Sequence, residues 1–329
     1  MSATTIPTNA GCGVAVPMAW DARAVPDPGS WIHRTRELAF IPPLNPDNLY
    51  GHLVATAVPG VEEWHDGAYR RTLALPGGPG IVVLPPPVGT SVLATLHLTD
   101  PADEDVAAHL ARRILDLDAD PDAVDAVLRA DDVLRPLVDA GPGRRVPGNP
   151  DPDEFAVRAV LGQQVSTAAA RTHAARLVTA HGTPVPEPVP GSAGSSLTHL
   201  FPSAHQLTAV TDDELGMPAS RKRTLRGLVA ALADGTVDLH ADLATARREL
   251  GALRGIGPWT VDSVAMRALG DPDAFLPADL GIRVAARDLG LPDRDRDLVA
   301  RSEMWRPYRA YATQYLWSAL DHAVNTMPR

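Results

Sequence analysis

Two kinds of hydrophobic periodicity follow one another along the chain. Thr35–Phe40 alternates loosely, and Tyr69–Leu75, Gly80–Leu84 and Ser91–Leu98 read as strands separated by Pro/Gly turns. Asn45–Val58 is apolar enough for a helix, and Asp105–Leu117 repeats apolar residues at three- and four-residue spacing with acidic residues around its start. This predicts an α+β domain over 35–120, a small antiparallel sheet with helices. Beyond residue 120 the strand pattern vanishes. Helices are expected over Ala123–Ala130, Asp131–Asp139, Asp153–Ala180 (long or broken), Ala204–Val210, Asp212–Leu215, Arg221–Asp234, Leu243–Leu253, Trp259–Leu269, Leu280–Leu289 and Pro307–Asn325. Residues 121–329 are therefore an all-α region, with 183–196 a Pro/Gly/Ser-rich loop or insertion. Residues 1–34 carry no sustained period and are expected to be a flexible tail. No internal repeat is visible.

Composition narrows the class. With 329 residues, 45% hydrophobic and 21% charged, the chain can bury a sizeable core and is not a wholly disordered protein. No apolar run approaches the roughly 18–20 residues of a membrane span, so a soluble protein without membrane contact is expected. The N-terminus has no basic stretch before an apolar one, which argues against a signal peptide. One cysteine, Cys12, excludes intrachain disulfides, cysteine-held zinc and a four-cysteine iron–sulfur cluster. A reducing cytoplasm fits.

Charge changes the picture twice. The net charge is −10, from 30 basic and 40 acidic residues, which argues against a simple polybasic nucleic-acid binder. The excess is uneven: residues 1–150 carry 11 basic and 19 acidic residues, while residues 151–329 carry 19 and 21. The sole lysine is Lys222, and the other 29 basic residues are arginines.

The near-neutral half holds the most specific local signals. In Leu253-Arg-Gly-Ile-Gly-Pro-Trp-Thr260 a helical pattern ends, Gly255 and Gly257 make a tight turn, and Pro258 opens a new helix. Its first N–H groups, Thr260 among them, face outward and attract an anion. The unit reads as a helix–hairpin–helix that holds a DNA backbone phosphate with few basic side chains. The alternative is an ordinary glycine turn. Downstream, Asp279 follows the Pro-containing loop Phe275-Leu-Pro277 and precedes a helical stretch. It is the N-cap of that helix, a carboxylate facing a cleft, or both.

These segments, with Phe155-Ala-Val-Arg-Ala-Val-Leu-Gly-Gln-Gln-Val-Ser166, Gly216-Met-Pro218 and the stretch from Pro42-Pro43 to Ala57-Val-Pro-Gly-Val-Glu62, resemble the AlkA family, DNA-3-methyladenine glycosylase II, of the helix–hairpin–helix DNA glycosylase superfamily. The resemblance covers roughly 35–325. It implies a TBP-like N-terminal domain, two helical subdomains, and excision of alkylated bases of the 3-methyladenine and 7-methylguanine type from duplex DNA. The base must be flipped out of the stack. Asp279 matches the family's catalytic aspartate, which stabilises the cationic sugar that develops as the base leaves.

Trp259 matches the position where glycosylase/lyases of the superfamily place a nucleophilic lysine. An indole forms no Schiff base, so the resemblance implies a monofunctional, water-dependent enzyme. Trp259 and Trp317 match aromatic walls of the base pocket, where an indole face favours a cationic purine. The alternative for each is core packing. For Trp317 helical geometry speaks against it, since Tyr308, Tyr311 and Tyr315 share one face and Trp317 points roughly opposite. Where relatives place further aromatics this chain has His52, Ser263, Leu280 and Ser318, a smaller-walled and more polar pocket. Gln164 matches the residue that fills the gap left by the flipped base; the alternative is a buried polar tie between helices.

The basic run Arg221–Arg226 either flanks DNA or is a solvated helix face. The carbonyls of Gly251, Leu253 and Ile256 match a monovalent-cation site of the hairpin. Cys12 alone cannot build the cysteine-dependent methyltransferase domain fused to some relatives, so a stand-alone, monomeric protein without cofactor is expected, cytoplasmic and at the nucleoid while acting. The competing hypothesis is a non-catalytic DNA-damage-binding protein on the same scaffold.

Overall fold

The computed structural model describes residues 31–191 and 194–328. Strands β1 (Ile32–Ala39), β2 (Glu62–His65), β3 (Ala68–Leu75), β4 (Gly78–Leu84) and β5 (Ser91–Leu98) form one antiparallel sheet in the order β1-β5-β4-β3-β2. β1 pairs with β5 from Ile32 opposite Leu98 to Ala39 opposite Ser91. The strand thus begins at Ile32, inside the segment expected as tail. Its polar residues have partners: Arg36 bonds Glu104 at 2.8 Å and Asp105 at 3.0 Å. Cys12 and the rest of residues 1–30 lie outside the described residues.

Helices α1 (Pro46–Ala55) and α2 (Glu104–Leu115) pack on the sheet. Asn45 caps α1 by accepting from the Asp47 amide, with Pro46 in the first turn. Leu49, Tyr50 and Leu53 of α1 and Ala107, Ala111, Ile114 and Leu115 of α2 meet Tyr69, Leu73, Val82, Leu84, Leu96 and Leu98 in one core.

The remaining helices are α3 (Pro121–Arg129), α4 (Arg135–Ala140), α5 (Pro152–Leu161), α6 (Thr167–His181), α7 (Ala204–Leu207), α8 (Ala219–Ala233), α9 (Leu243–Gly251), α10 (Pro258–Arg267), α11 (Leu280–Asp288), α12 (Asp295–Ser302) and α13 (Arg309–Ser318). They build two cores. Val157, Val160, Leu177, Leu228, Leu250 and Val264 belong to the first. Val124, Leu128, Ala265, Met266, Ile282, Trp305, Tyr311 and Tyr315 belong to the second. Helix α10 contributes to both and is the wall between them.

Of the two forms expected for Asp153–Ala180 the structure has the broken one: α5 ends at Leu161, and Ser166 caps α6 by accepting from the Ala169 amide. Other expectations need correction. Strands do not vanish after residue 120, because β6 (Thr183–Pro184) pairs with β7 (His199–Leu200). Asp212–Leu215 is a turn, not a helix. β2 and α12 lie where the pattern gave no element, and past Ser318 the last expected helix is replaced by a turn and a single 3-10 turn, Ala323–Asn325.

The C-terminal segment returns to α1. A Cβ on Gly51 would stand 2.6 Å from the Thr326 carbonyl oxygen and 2.7 Å from that of Val324, so only glycine admits this contact. The return places the chain's end beside His52, whose charge environment includes His322. No helix among the described residues is long and apolar enough to cross a membrane.

Candidate active site

The α9–α10 hairpin has the predicted turn, but its two glycines serve different ends. Gly255 has φ +87°, and a Cβ there would lie 2.0 Å from Thr224 Oγ1 on α8, so both conformation and space demand glycine. Gly257 is extended (φ −100°, ψ 174°) with nothing within 4 Å of a Cβ; it leaves open space before Pro258. No side chain caps α10. Thr260, expected on the DNA-binding face, is 2% exposed. Its hydroxyl accepts from Gln163 Nε2 at 3.1 Å, so its side chain serves the interior.

Gln163 also donates to the Gly255 carbonyl at 3.2 Å and ties α5 to the hairpin. The tie foreseen as an alternative for Gln164 therefore belongs to its neighbour. Gln164 is exposed, with φ +57°, in the turn before α6. Of the basic run on α8, Arg221 is buried, Lys222 donates to the Asp212 carbonyl and Arg226 pairs with Asp212 at 2.8 Å.

Asp279 is both a cap and a cleft residue. Its Oδ1 accepts from the Ile282 amide at 3.1 Å and from Trp317 Nε1 at 3.1 Å; its Oδ2 accepts from Trp259 Nε1 at 3.1 Å. The tyrosines of α13 do turn inward, Tyr311 and Tyr315 being buried, and Trp317 on the other side reaches the carboxylate. This approach depends on Gly281, where a Cβ would lie 3.1 Å from Trp317 Nε1 and 3.2 Å from Asp279 Oδ1. Gly281→Ala is expected to displace the indole and cost at least about tenfold in any activity that uses Asp279, the worth of one hydrogen bond to a charged group. Activity at the unmodified level, with native circular dichroism, would show that the Trp317 contact is dispensable.

A cavity of ≈ 360 Å³ opens on Asp279. Trp259, Trp317, His52, Ser263, Phe155 and Leu276 contribute to its walls, with α6 supplying a further side. Its volume falls among small-molecule sites, about 300–1,000 Å³. Leu280 and Ser318, expected in the pocket, are not among its lining. Leu280 is 75% exposed, and the Ser318 hydroxyl turns back to the Tyr315 carbonyl at 2.6 Å. Burial pushes His52 well below its ordinary range, and Arg267, Arg158 and His322 add to this, so the imidazole is neutral at pH 7.

Three arginines of the lining escaped sequence reasoning: Arg158, Arg171 and Arg267. Arg158 pairs with Glu154 and Glu62 at 2.7 and 2.9 Å. Arg171 donates to the Ala57 carbonyl at 2.6 Å. Arg267, 5% exposed, donates to the Pro147 carbonyl and lies over the Trp317 ring, 5.4 Å from its centroid. Burial pushes its guanidinium down to about 9 while Asp279 acts in the other direction; it stays protonated at pH 7. Lys222 is not part of the lining. Among the described residues no cluster of His, Cys, Asp or Glu has metal-site geometry. Gly251 ends α9, and Leu253 and Ile256 lie in the turn that follows, the Leu253 carbonyl accepting from the Ile256 amide at 3.1 Å.

Comparison with known proteins fits this arrangement. Residues 35–151 match the family model for the AlkA N-terminal domain. The chain is 33% identical over 293 residues to DNA-3-methyladenine glycosylase 2 of Escherichia coli, covering 85% of this chain and 95% of that protein. The chain belongs to the DNA-3-methyladenine glycosylase 2 (AlkA) family. It is also 52% identical over 284 residues to a Mycobacterium tuberculosis protein named "Probable bifunctional transcriptional activator/DNA repair enzyme AlkA", covering 86% of this chain. It spans only 56% of that relative's length. The AlkA-family fold extends to a 3-methyladenine DNA-glycosylase from Archaeoglobus fulgidus, with a TM-score of 0.72 at 20% identity over 86% of this chain and 97% of that one. An 8-oxoguanine glycosylase/lyase from Clostridium acetobutylicum has the same fold, with a TM-score of 0.66 at 16% identity over 89% of this chain and all of that one.

Proposed function

We propose that the protein is a monofunctional DNA glycosylase of base excision repair, which flips alkylated bases out of duplex DNA and hydrolyses their N-glycosidic bonds. The observation that carries this reading is Asp279, a carboxylate in the wall of the cavity with both oxygens fixed by two indole N–H groups and a helix amide. A pure binding protein has no need of such a group. As the base departs, the sugar gains positive charge, and a preorganised carboxylate stabilises it without reorganisation at that moment. The same group orients the attacking water.

Exposed Gln164, at the turn before α6, fills the space the base vacates, and the uncapped start of α10 receives a backbone phosphate. The carbonyls of Gly251, Leu253 and Ile256 are neutral oxygen donors, suited to a monovalent cation beside that phosphate. The relatives' names support the substrate class: the Escherichia coli protein is called a DNA-3-methyladenine glycosylase.

The direct test incubates the protein with methylated duplex DNA and measures free 3-methyladenine and 7-methylguanine. DNA binding with no base release from any damaged duplex would instead favour the non-catalytic reading. Trp259 in place of an amine predicts no strand cleavage and no borohydride-trapped adduct. The net charge of −10 predicts modest non-specific affinity. A plot of log K against log salt should be shallower than about −5; a slope near −10 would imply roughly ten phosphate contacts and a polybasic surface.

A further inference from the structure

We propose that Ser263 recognises the far edge of a flipped base: its hydroxyl donates to a 6-oxo group and accepts from a 6-amino group, so one wall serves both kinds of purine lesion. The inference rests on the glycosylase reading above and names the residue by which that site recognises its base.

Three observations carry it. The first is an unsatisfied group. Ser263 is 5% exposed and lines the cavity, and its buried hydroxyl has no hydrogen-bond partner. Helical hydroxyls commonly turn back to the carbonyl one turn earlier. Thr172, Thr179, Thr224 and Thr313 all do so, each donating to the carbonyl four residues before it. Ser263, in the middle of α10, does not. A buried hydroxyl without a partner carries a desolvation cost that an entering polar group removes.

The second is that the charged and indole groups of the wall already have partners. Trp259 and Trp317 donate to Asp279. Arg158 pairs with Glu62 and Glu154, and Arg171 and Arg267 donate to the Ala57 and Pro147 carbonyls. Among the described residues of the lining, Ser263 is the one whose buried polar atom is left over.

The third is its place. Helix α10 runs inward from the hairpin: Pro258 is exposed, Trp259 half-buried, and Ser263 buried. Trp259 holds Asp279, the carboxylate that faces the sugar in the proposed reaction. Ser263 follows one turn later on the same helix face, ~6 Å further along the axis, a distance comparable to the width of a purine. A base whose sugar bond lies beside Asp279 therefore presents its far edge, which bears the 6-substituent, to Ser263. Guanine lesions carry an acceptor there and adenine lesions a donor. A hydroxyl is both and rotates to suit. It carries no charge, so it serves cationic and neutral bases alike.

The test is a double-mutant cycle between protein and base, read as binding so that turnover does not enter. Duplexes carry one uncleavable nucleoside. One set holds 2′-fluorinated 7-methylguanine or the same base without its 6-oxygen; the other holds 3-deaza-3-methyladenine or the same base without its 6-amino group. For the wild type, deleting either 6-substituent should weaken binding about tenfold. Ser263→Ala removes a group with no partner and so leaves the fold intact. It should weaken binding of both intact bases by a similar factor and become indifferent to either deletion. Ser263→Thr, which keeps the hydroxyl, should behave as the wild type.

If Ser263→Thr does not fold, the Ser263→Ala cycle decides alone. Additive effects of the protein and base changes, or coupling confined to one of the two lesions, overturn the proposal. Base release measured in parallel separates the two readings. Coupling without release from any damaged duplex counts against the glycosylase reading alone, and release with additive effects counts against this one alone.

Discussion

Asp279→Asn is expected to slow base release by at least about 10²-fold, the range seen when a key electrostatic stabiliser is removed, while the protein unfolds at nearly its original temperature. Asparagine is close to aspartate as an N-cap, so the bond from the Ile282 amide survives. The amide oxygen at Oδ1 still accepts from Trp317. Only the Oδ2 position changes in kind: its amide nitrogen faces Trp259 Nε1, donor against donor. The substitution thus removes the negative charge and one indole contact and little else. Single-turnover release of free base from a methylated duplex measures the effect. Release at the wild-type rate would show that Asp279 is a structural cap and that the chemistry resides elsewhere.

The pairing that makes this variant informative was half legible in the sequence. The hairpin glycines, Asp279 before a helix and Trp317 on the face opposite the α13 tyrosines were all readable from spacing. What spacing does not convey is which neighbour in a run makes a contact. Gln163 and Gln164 are adjacent, yet one ties two helices and the other is exposed at φ +57°. Leu280 and Ser318 sit next to true wall residues and point away.

The larger blind spot was buried charge. A reader places arginine in solvent, so Arg267, Arg158 and Arg171 did not register as cavity walls. β2 was missed for the same reason: Glu62 and Glu63 look like loop residues but are buried by their partners. α12 was missed because few of its residues are apolar, Leu298 being its one buried hydrophobic residue. The cavity itself joins α1, α5, α6, α10 and the loop before α11, a closure across more than 200 residues that periodicity does not encode.

The second large effect is expected from that buried charge. Glu154→Gln should destabilise the protein by about 3–5 kcal/mol, the cost of leaving a buried ion without its partner. Glu154 accepts from Arg71 at 2.8 Å, Arg158 at 2.7 Å and Asn149 at 3.1 Å. Glu62 closes the set, accepting from Tyr69 at 2.6 Å and the Val58 amide at 2.8 Å and pairing with Arg158 at 2.9 Å. Two glutamates and two arginines, of which Glu62, Glu154 and Arg71 are buried and Arg158 reaches the cavity wall, join the sheet to α5. Removing one carboxylate leaves a net positive charge among them, whereas Glu154→Gln combined with Arg71→Met restores the balance and should recover part of the loss.

Acid pH provides an independent check. Burial alone would raise the Glu154 carboxyl, but Arg71 and then Arg158 outweigh it and hold it below its ordinary value. A group lowered in the folded state contributes stability above its unfolded pKa, about 4.3 for glutamate, and loses it as pH falls through the lower folded value. Denaturant midpoints measured from about pH 5 downward should therefore fall more steeply in the wild type than in Glu154→Gln, the two converging in acid. Parallel curves at every pH would show that the network contributes nothing through its charge.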